Sequence, residues 1–400
     1  MKTRLKLILT IAIFFLFVVN CTKTKIAEKA TWRGEIEYEN GVKVVKNPAE
    51  PVFGEILLDL EEDLSIGRED DDNYVFYQVR NIDVDDQGNI YVLEGGNCRL
   101  QKFDLTGKYL QTIGKKGQGP GEFESPWGLL LDKKNNIYIS ERRKRKIHIF
   151  NSKGEFVKSI LLSNTTTDFS VTPDENIFGI ANIRTEEESK RCVVKMDPKG
   201  EIIKNIAQFS DIKRVQRKGK EGMIMSFGIG HLYNQRLYFS PTVNNKHLYA
   251  HSSEYCLFQV NFEGDLELII KKEEPLHPIS QKEKNKIYEG FSDLIEKWPK
   301  GVVKEAVQFS SHRPFFNKIA TDERGRIYVR RVKSVIDENE DVEFDIFSQE
   351  GYYLYKTKLP FTPEVIKNGY IYDHYSSEET EEVKIKRYKV KNWGEIEEGI

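Results

Sequence analysis

A chain of 400 residues is long enough to bury one large core or two. Charged residues make up 31% and the formal net charge is -2, which excludes a general nucleic-acid binder, because that role needs a broad positive field. Tyr (19) and Phe (23) are plentiful while Met (4) is scarce, a balance that suits pleated sheet surfaces.

The N-terminus opens with Lys2, Arg4 and Lys6, followed by an apolar run of 13 residues from Leu7 to Val19. A spanning helix needs roughly 18 or more, so the run fits the middle of a secretory signal peptide. It ends in "FVVNC", which resembles the lipobox of bacterial lipoproteins. The resemblance implies that Cys21 is lipidated and becomes the new N-terminus. Asn20 departs from the small residue usual before that Cys, and the competing expectation is an uncleaved anchor or an ordinary signal peptide. The expected layout is a signal segment over 1–21, a tether over 22–50, a folded body over 51–391 and a fraying tail over 392–400. Cys98, Cys192 and Cys256 remain, an odd number, so they read as small buried hydrophobes rather than a disulfide framework.

From Asp83 the chain repeats itself. "DDQGNIYVLE" is followed by "DKKNNIYISE", "PDENIFGIAN", "YNQRLYFSPT", "DERGRIYVRR" and "IKNGYIYDHY". Each is a polar turn before an apolar–aromatic pair: Ile90-Tyr91, Ile137-Tyr138, Ile177-Phe178, Leu237-Tyr238, Ile327-Tyr328 and Ile371-Tyr372. A second hairpin follows most copies, with Gly107, Gly154, Gly200, Gly264 and Gly351 at its turn. The spacing is 47 residues from Ile90 to Ile137 and 40 from there to Ile177, near the period of propeller blades. The pattern predicts an all-β fold, a six-bladed β-propeller of four-stranded antiparallel blades. A turn that recurs in variants is scaffold, so the carboxylates of "DVDDQGN" read as local turn formers rather than calcium ligands.

Further along, "GKKGQGPGEFESPWGL" lacks the phosphate-loop pattern and reads as a blade-to-blade crossing. His247 and His251 in "HLYAH" lie on a strand about 13 Å apart and read as ordinary surface histidines. Ile287, Tyr288, Phe291, Leu294, Ile295 and Trp298 follow helical spacing, which predicts one inserted helical segment at about 275–300, as decoration or as a lid over the channel. The last unit lacks an outer strand, so Ile56–Leu60 or thereabouts is expected to close the ring.

"NIYVLEGGNCRLQKFDLTGKYLQTIGKKGQGPGEFESPWGLLLD" resembles an NHL-type repeat, as in the six-bladed propeller lipoproteins of bacteria. The resemblance implies the fold and a lipid-anchored place in the bacterial cell envelope, periplasmic or surface-exposed. It leaves the chemistry to the residues.

Those residues lie about nine or ten positions before each apolar–aromatic pair, where the innermost strands begin. They are Arg80, Asn81, Trp127, Asp168, Phe227, Asn317 and Lys318. They lack the clustered carboxylates or histidines of a metal cage, so no metal, cofactor or catalytic residue is assigned. They suit a polar ligand mouth instead. The basic run "ERRKRKIH" reads as a solvated turn. The expected function is a monomeric, membrane-tethered binding scaffold for a protein, peptide or carbohydrate, with no nucleic-acid partner. The alternative is a lactonase-like, metal-dependent hydrolase or lyase working in the channel.

Overall fold

The computed structural model describes residues 31–68, 70–184, 189–211, 215–218, 224–298, 301–376 and 382–400. The segment 1–21 expected to be a signal peptide, with Cys21, lies outside the described residues. Six blades of four antiparallel strands form a ring, five of them separate four-stranded sheets and the fourth extended to six strands by an N-terminal hairpin. Their innermost strands, in blade order, are Val79–Val84, Gly128–Leu131, Thr165–Val171, Leu237–Pro241, Phe316–Thr321 and Val365–Lys367. Successive innermost strands touch all the way round, the sixth returning to the first.

The polar turns are built as expected. Asp85 Oδ1 accepts from the backbone N–H groups of Gln87 (3.0 Å) and Asn89 (2.9 Å), and Asn89 Nδ2 donates to Asp85 Oδ2 at 2.8 Å. Asp132 does the same with Lys134 and Asn136, and Asp322 with Arg324 and Arg326. The tyrosine of the pair reaches back to the same carboxylate: Tyr91, Tyr138 and Tyr328 each donate a phenol O–H to it. These carboxylates are engaged as turn acceptors. In the second hairpin Gly107 (φ 81°) and its four counterparts take the left-handed region that a Cβ would strain.

The apolar–aromatic pair explains how blades cohere. Adjacent residues of a strand point to opposite faces. Ile90 therefore packs toward blade six with Ile66, Tyr372 and Ile385, while Tyr91 packs toward blade two with Ile137, Ile139 and Phe150. The same alternation recurs with Ile137 and Tyr138, and with Ile327 and Tyr328. One apolar cluster fills each of the six seams between blades.

Blade four corrects the sequence reading. Leu237 and Tyr238 begin its innermost strand, and the counterpart of Ile90 is His247, directly after a turn closed by Thr242 N–H to Lys246 C=O. A histidine in the apolar place hid the repeat. His247 is not a surface residue: it is 2% exposed and stacked on Phe178, with centroids 4.1 Å apart. His251 stacks on Phe209 and shares a hydrogen bond with Ser253. Phe227 accordingly lies in a separate hairpin, Val215–Lys218 with Ile224–Phe227, and not on the channel strand.

Burial, with a smaller push from Lys195, lowers the His247 pKa from about 6.5 to about 4. The folded state thus favours the neutral ring. Its contribution is complete above pH 6.5 and is lost as pH falls toward 4, by about 3 kcal/mol in full. His247→Ile should remove that part of the acid limb in urea titrations at pH 4 to 7. Parallel stability–pH curves for the two proteins would contradict this.

Three further segments differ from expectation. Residues placed in the tether form a hairpin, Glu35–Glu39 with Val42–Asn47, whose second strand pairs in parallel with Leu266–Lys272 at the edge of blade four. Asn47 fixes it: its Nδ2 donates to Gly351 C=O at 2.8 Å and its Oδ1 accepts from Tyr353 N–H at 2.8 Å. The closing strand is Leu60–Ile66, antiparallel to Ile385–Val390, so closure occurs as foreseen but a few residues later. The tail does not fray. Trp393 and Ile396 are buried, Arg326 Nη1 donates to Ile396 C=O at 2.9 Å, and its guanidinium lies 4.0 Å from the Trp393 ring.

The helical insertion is three short helices, Gln281–Glu289, Ser292–Lys297 and Val302–Ala306, rather than one. Ser280 and Glu283 cap the first reciprocally, an S-x-x-E signal legible in the sequence. The helices pack on Ile229 and Tyr233 before blade four and on Val332 and Val335 of blade five. Tyr233 O–H and Ser334 O–H both donate to Glu283 Oε1 at 2.7 Å. Phe291 and Leu294 still pack on this cluster, while Ile295 and Trp298 stay exposed, so only part of the inferred apolar stripe is used.

Candidate functional site

The starts of the innermost strands and the ends of the second strands meet at one mouth of the ring. Several sequence candidates sit at irregularities there. Arg80, Asp168 and Asn317 each occupy a β-bulge between the first and second strands of blades one, three and five. Bulges re-aim side chains, and Asp168 also takes a left-handed φ of 47°.

The structure brings Arg80 and Trp127 together. The Arg80 guanidinium lies 5.2 Å from the Trp127 ring, and that of Arg142 lies 5.7 Å from it. With Arg143, Arg145 and Arg184 they line a cavity of about 660 Å³ across blades one to three. The other candidates are not gathered there. Asn81 is half-buried on the strand Val79–Val84. Asn317 borders a smaller cavity of about 140 Å³ beside Leu232 and Arg330, next to the helical insertion. Lys318 donates to Pro363 C=O at 2.5 Å and lies 3.8 Å from Glu364.

The basic run is a solvated turn, as expected, and it also borders the cavity. Arg142–Lys144 form a single 3-10 turn ended by Arg145 in the left-handed region, which fans the arginines over the cavity while they stay exposed. The neighbouring acids are engaged elsewhere. Buried Glu141 accepts from the N–H groups of Glu124 (2.7 Å) and Ser125 (2.8 Å) and pairs with His148 at 2.9 Å. Burial alone would raise its pKa, but these bonds win and hold it at about 2. Glu94, at the same place in blade one, accepts from Tyr77 N–H and Arg99. Glu124 pairs with Lys144. The repeated "IYVLE" and "IYISE" therefore spend their glutamates on holding the incoming loop of their own blade.

Deeper toward blade four, desolvation raises the pKa of Asp168 against the pull of Arg191, Thr167 and Arg142. Tyr238 sits amid Arg236, Arg191, Asp168 and Arg330, and its own pKa is raised, chiefly by burial. The Nε atoms of Arg191, Arg236 and Arg330 are buried without a hydrogen-bond partner. Sequence reasoning missed these arginines because Arg191 and Arg330 lie within the third and second strands of their blades, and Arg236 precedes the innermost strand of blade four, which was misassigned.

Among the described residues, one group of side chains has metal-ligand chemistry: Glu364, Asp373 and His374 of blade six bring ligand atoms within 4.8 Å of one another. Burial raises the Asp373 pKa to about 6. All three are half-buried, and Lys318 already offsets part of their charge.

The ring and its repeats define a six-bladed β-propeller built from NHL-type units. The chain belongs to the family described as Domain of unknown function (DUF4934), which matches residues 69–398. It is similar to NHL repeat-containing protein 3 of Homo sapiens, 27% identical over 126 residues, covering 30% of this chain and 35% of that protein. The chain thus matches about a third of the length of that curated relative. Among solved structures it resembles a protein of Bacteroides fragilis described as a candidate for export, with a TM-score of 0.52 and 14% identity over 87% of this chain and 99% of the other. That likeness shows the fold. A weaker one, with a TM-score of 0.40 and 13% identity over 83% of this chain and 99% of the other, is to virginiamycin B lyase from Staphylococcus aureus.

Proposed function

We propose that this propeller is a binding scaffold, exported and held to a membrane of the bacterial envelope by lipid on Cys21, and that as a monomer it takes its ligand at the mouth of blades one to three. The observation that carries this reading is the cavity of about 660 Å³ lined by Trp127 and five arginines. Concave sites with a few convergent polar groups are where ligands bind. Support for the address comes from the charged start, the apolar run and the Cys at its end, and from the exported description of the similar Bacteroides protein. Glu124, the carboxylate in the lining, is paired with Lys144, and the arginines dominate what remains, which suits the site to holding a ligand.

The test is a glycan and peptide array read with the full chain and with an Arg142→Ala, Arg143→Ala variant. Retention that falls about tenfold or more in the variant supports the scaffold. Retention identical in both proteins, or turnover of a retained compound detected by mass spectrometry, would refute it. Glu364, Asp373 and His374 give the hydrolase alternative its foothold. Metal-dependent turnover abolished by Asp373→Asn would favour that alternative.

A further inference from the structure

The charge at the mouth is unbalanced in a specific way. The acids nearest the cavity are tied to backbone or to Lys144, as described. Among the described residues, Arg80, Arg142, Arg143 and Arg184 have no ion-pair partner, and Arg145 donates to Ser163 C=O. Around Tyr238, outside that lining, Arg191, Arg236 and Arg330 carry buried Nε–H groups with no hydrogen-bond partner among the described residues, and Asp168 is the carboxylate that interacts with Arg191. Buried donors are normally satisfied, and a desolvated guanidinium without a counter-charge is costly. An arrangement of this kind is completed by an anion from outside.

Resting on the scaffold reading, we infer that the mouth binds an acidic oligosaccharide, one whose sugar rings carry carboxylate or sulfate groups. The guanidinium fork matches either oxyanion in a bidentate fashion. The arginines come from blades one to three and are spread around the cavity, so they meet several anionic groups rather than one. Between them lie Asn164, Thr165 and Asn182, neutral donors and acceptors suited to ring hydroxyls. Trp127 is 44% exposed at the rim and offers an apolar edge for a sugar face. The volume is that of a ligand of a few rings. Arginine clusters also take acidic peptides, but the neutral side chains of Asn164, Thr165 and Asn182 and the exposed Trp127 face favour a sugar here, and the poly-glutamate probe below separates the two.

The experiment is isothermal titration calorimetry on the full chain with four probes of similar length: an oligogalacturonate, a sulfated malto-oligosaccharide, the unsulfated malto-oligosaccharide and a poly-glutamate peptide. The expected result is binding of at least one acidic sugar about tenfold or more tighter than the neutral one, weakening as salt rises. Which acidic sugar binds separates the carboxylate source from the sulfate source. Arg142→Ala and Arg184→Ala, both exposed and therefore compatible with folding, should each weaken it severalfold. Arg324→Ala, at the Glu398 contact, should leave it unchanged. Equal, mouth-dependent binding of the neutral sugar overturns the inference and leaves the scaffold standing, as does mouth-dependent binding of poly-glutamate alone. Absence of binding by all four probes overturns it as well, and the array then decides the scaffold reading separately.

Discussion

Asp345→Ala should cost about 3–5 kcal/mol of folding stability, because it strips the counter-charge from a buried cation. Asp345 and the side chain of Lys272 are both fully buried and 3.1 Å apart. Asp345 also accepts the phenol O–H of Tyr255 and of Tyr353, each at 2.5 Å. The ammonium of Lys272 lies 4.8 Å from each of those two rings and 2.6 Å from Glu274. This network spans the seam between blades four and five. Removing the carboxylate leaves two phenols without acceptors and the ammonium with Glu274 alone. Lys158→Ala, which breaks the exposed pair with Glu175, should cost less than about 1 kcal/mol. Urea denaturation reads both. An Asp345→Ala protein within about 1 kcal/mol of wild type would show that the network is not holding the seam.

Deleting residues through Gly67 should be the most damaging truncation. It removes the strand Leu60–Ile66, to which Arg387 donates through Asp63 in bidentate fashion at 2.9 and 3.0 Å. The ring then opens between blades six and one, and Ile66 leaves the cluster it shares with Ile82, Ile90 and Ile385. An unpaired outer edge also invites aggregation. Deleting 392–400 should cost about 3–5 kcal/mol, the range for emptying a Trp-sized site, since Trp393 and Ile396 leave the seam of blades five and six. The first truncation should lose cooperative melting, while the second should melt cooperatively at a lower temperature. Equal melting temperatures would remove the case for closure by the N-terminal strand.

The ring was legible because its signals are local and repeated. An Asp or Asn that caps its own turn, a Gly at positive φ and an apolar–aromatic pair facing two seams all announce themselves within ten residues. Blade four was misplaced by one strand because His247 stands where Ile stands elsewhere, and stacking between aromatic rings makes that substitution tolerable. The hairpin at 35–47 belongs to no repeat, and what holds it is Asn47, whose partners Gly351 and Tyr353 lie some 300 residues away. The tail depends likewise on Arg326. Such contacts have no sequence period. Arg80 and Trp127, singled out by their place at strand starts, line one cavity. The arginines after the second strands were hidden inside a charge run, and only the fate of Glu94, Glu124 and Glu141 shows that those charges are left over.

The hairpin also decides how the ring bears load. Tension arriving along the chain from residue 32 reaches Trp32 first, whose indole N–H donates to Asn47 Oδ1 at 3.0 Å and whose ring packs 5.0 Å from Tyr352. Force then unzips Glu35–Glu39 from Val42–Asn47 before it shears the parallel pairing to Leu266–Lys272. The seam strand at 60–66 lies behind both steps. A tug on the N-terminal side is therefore absorbed by a sacrificial clasp on blades four and five, and the latch that keeps the circle shut in blade six feels it last.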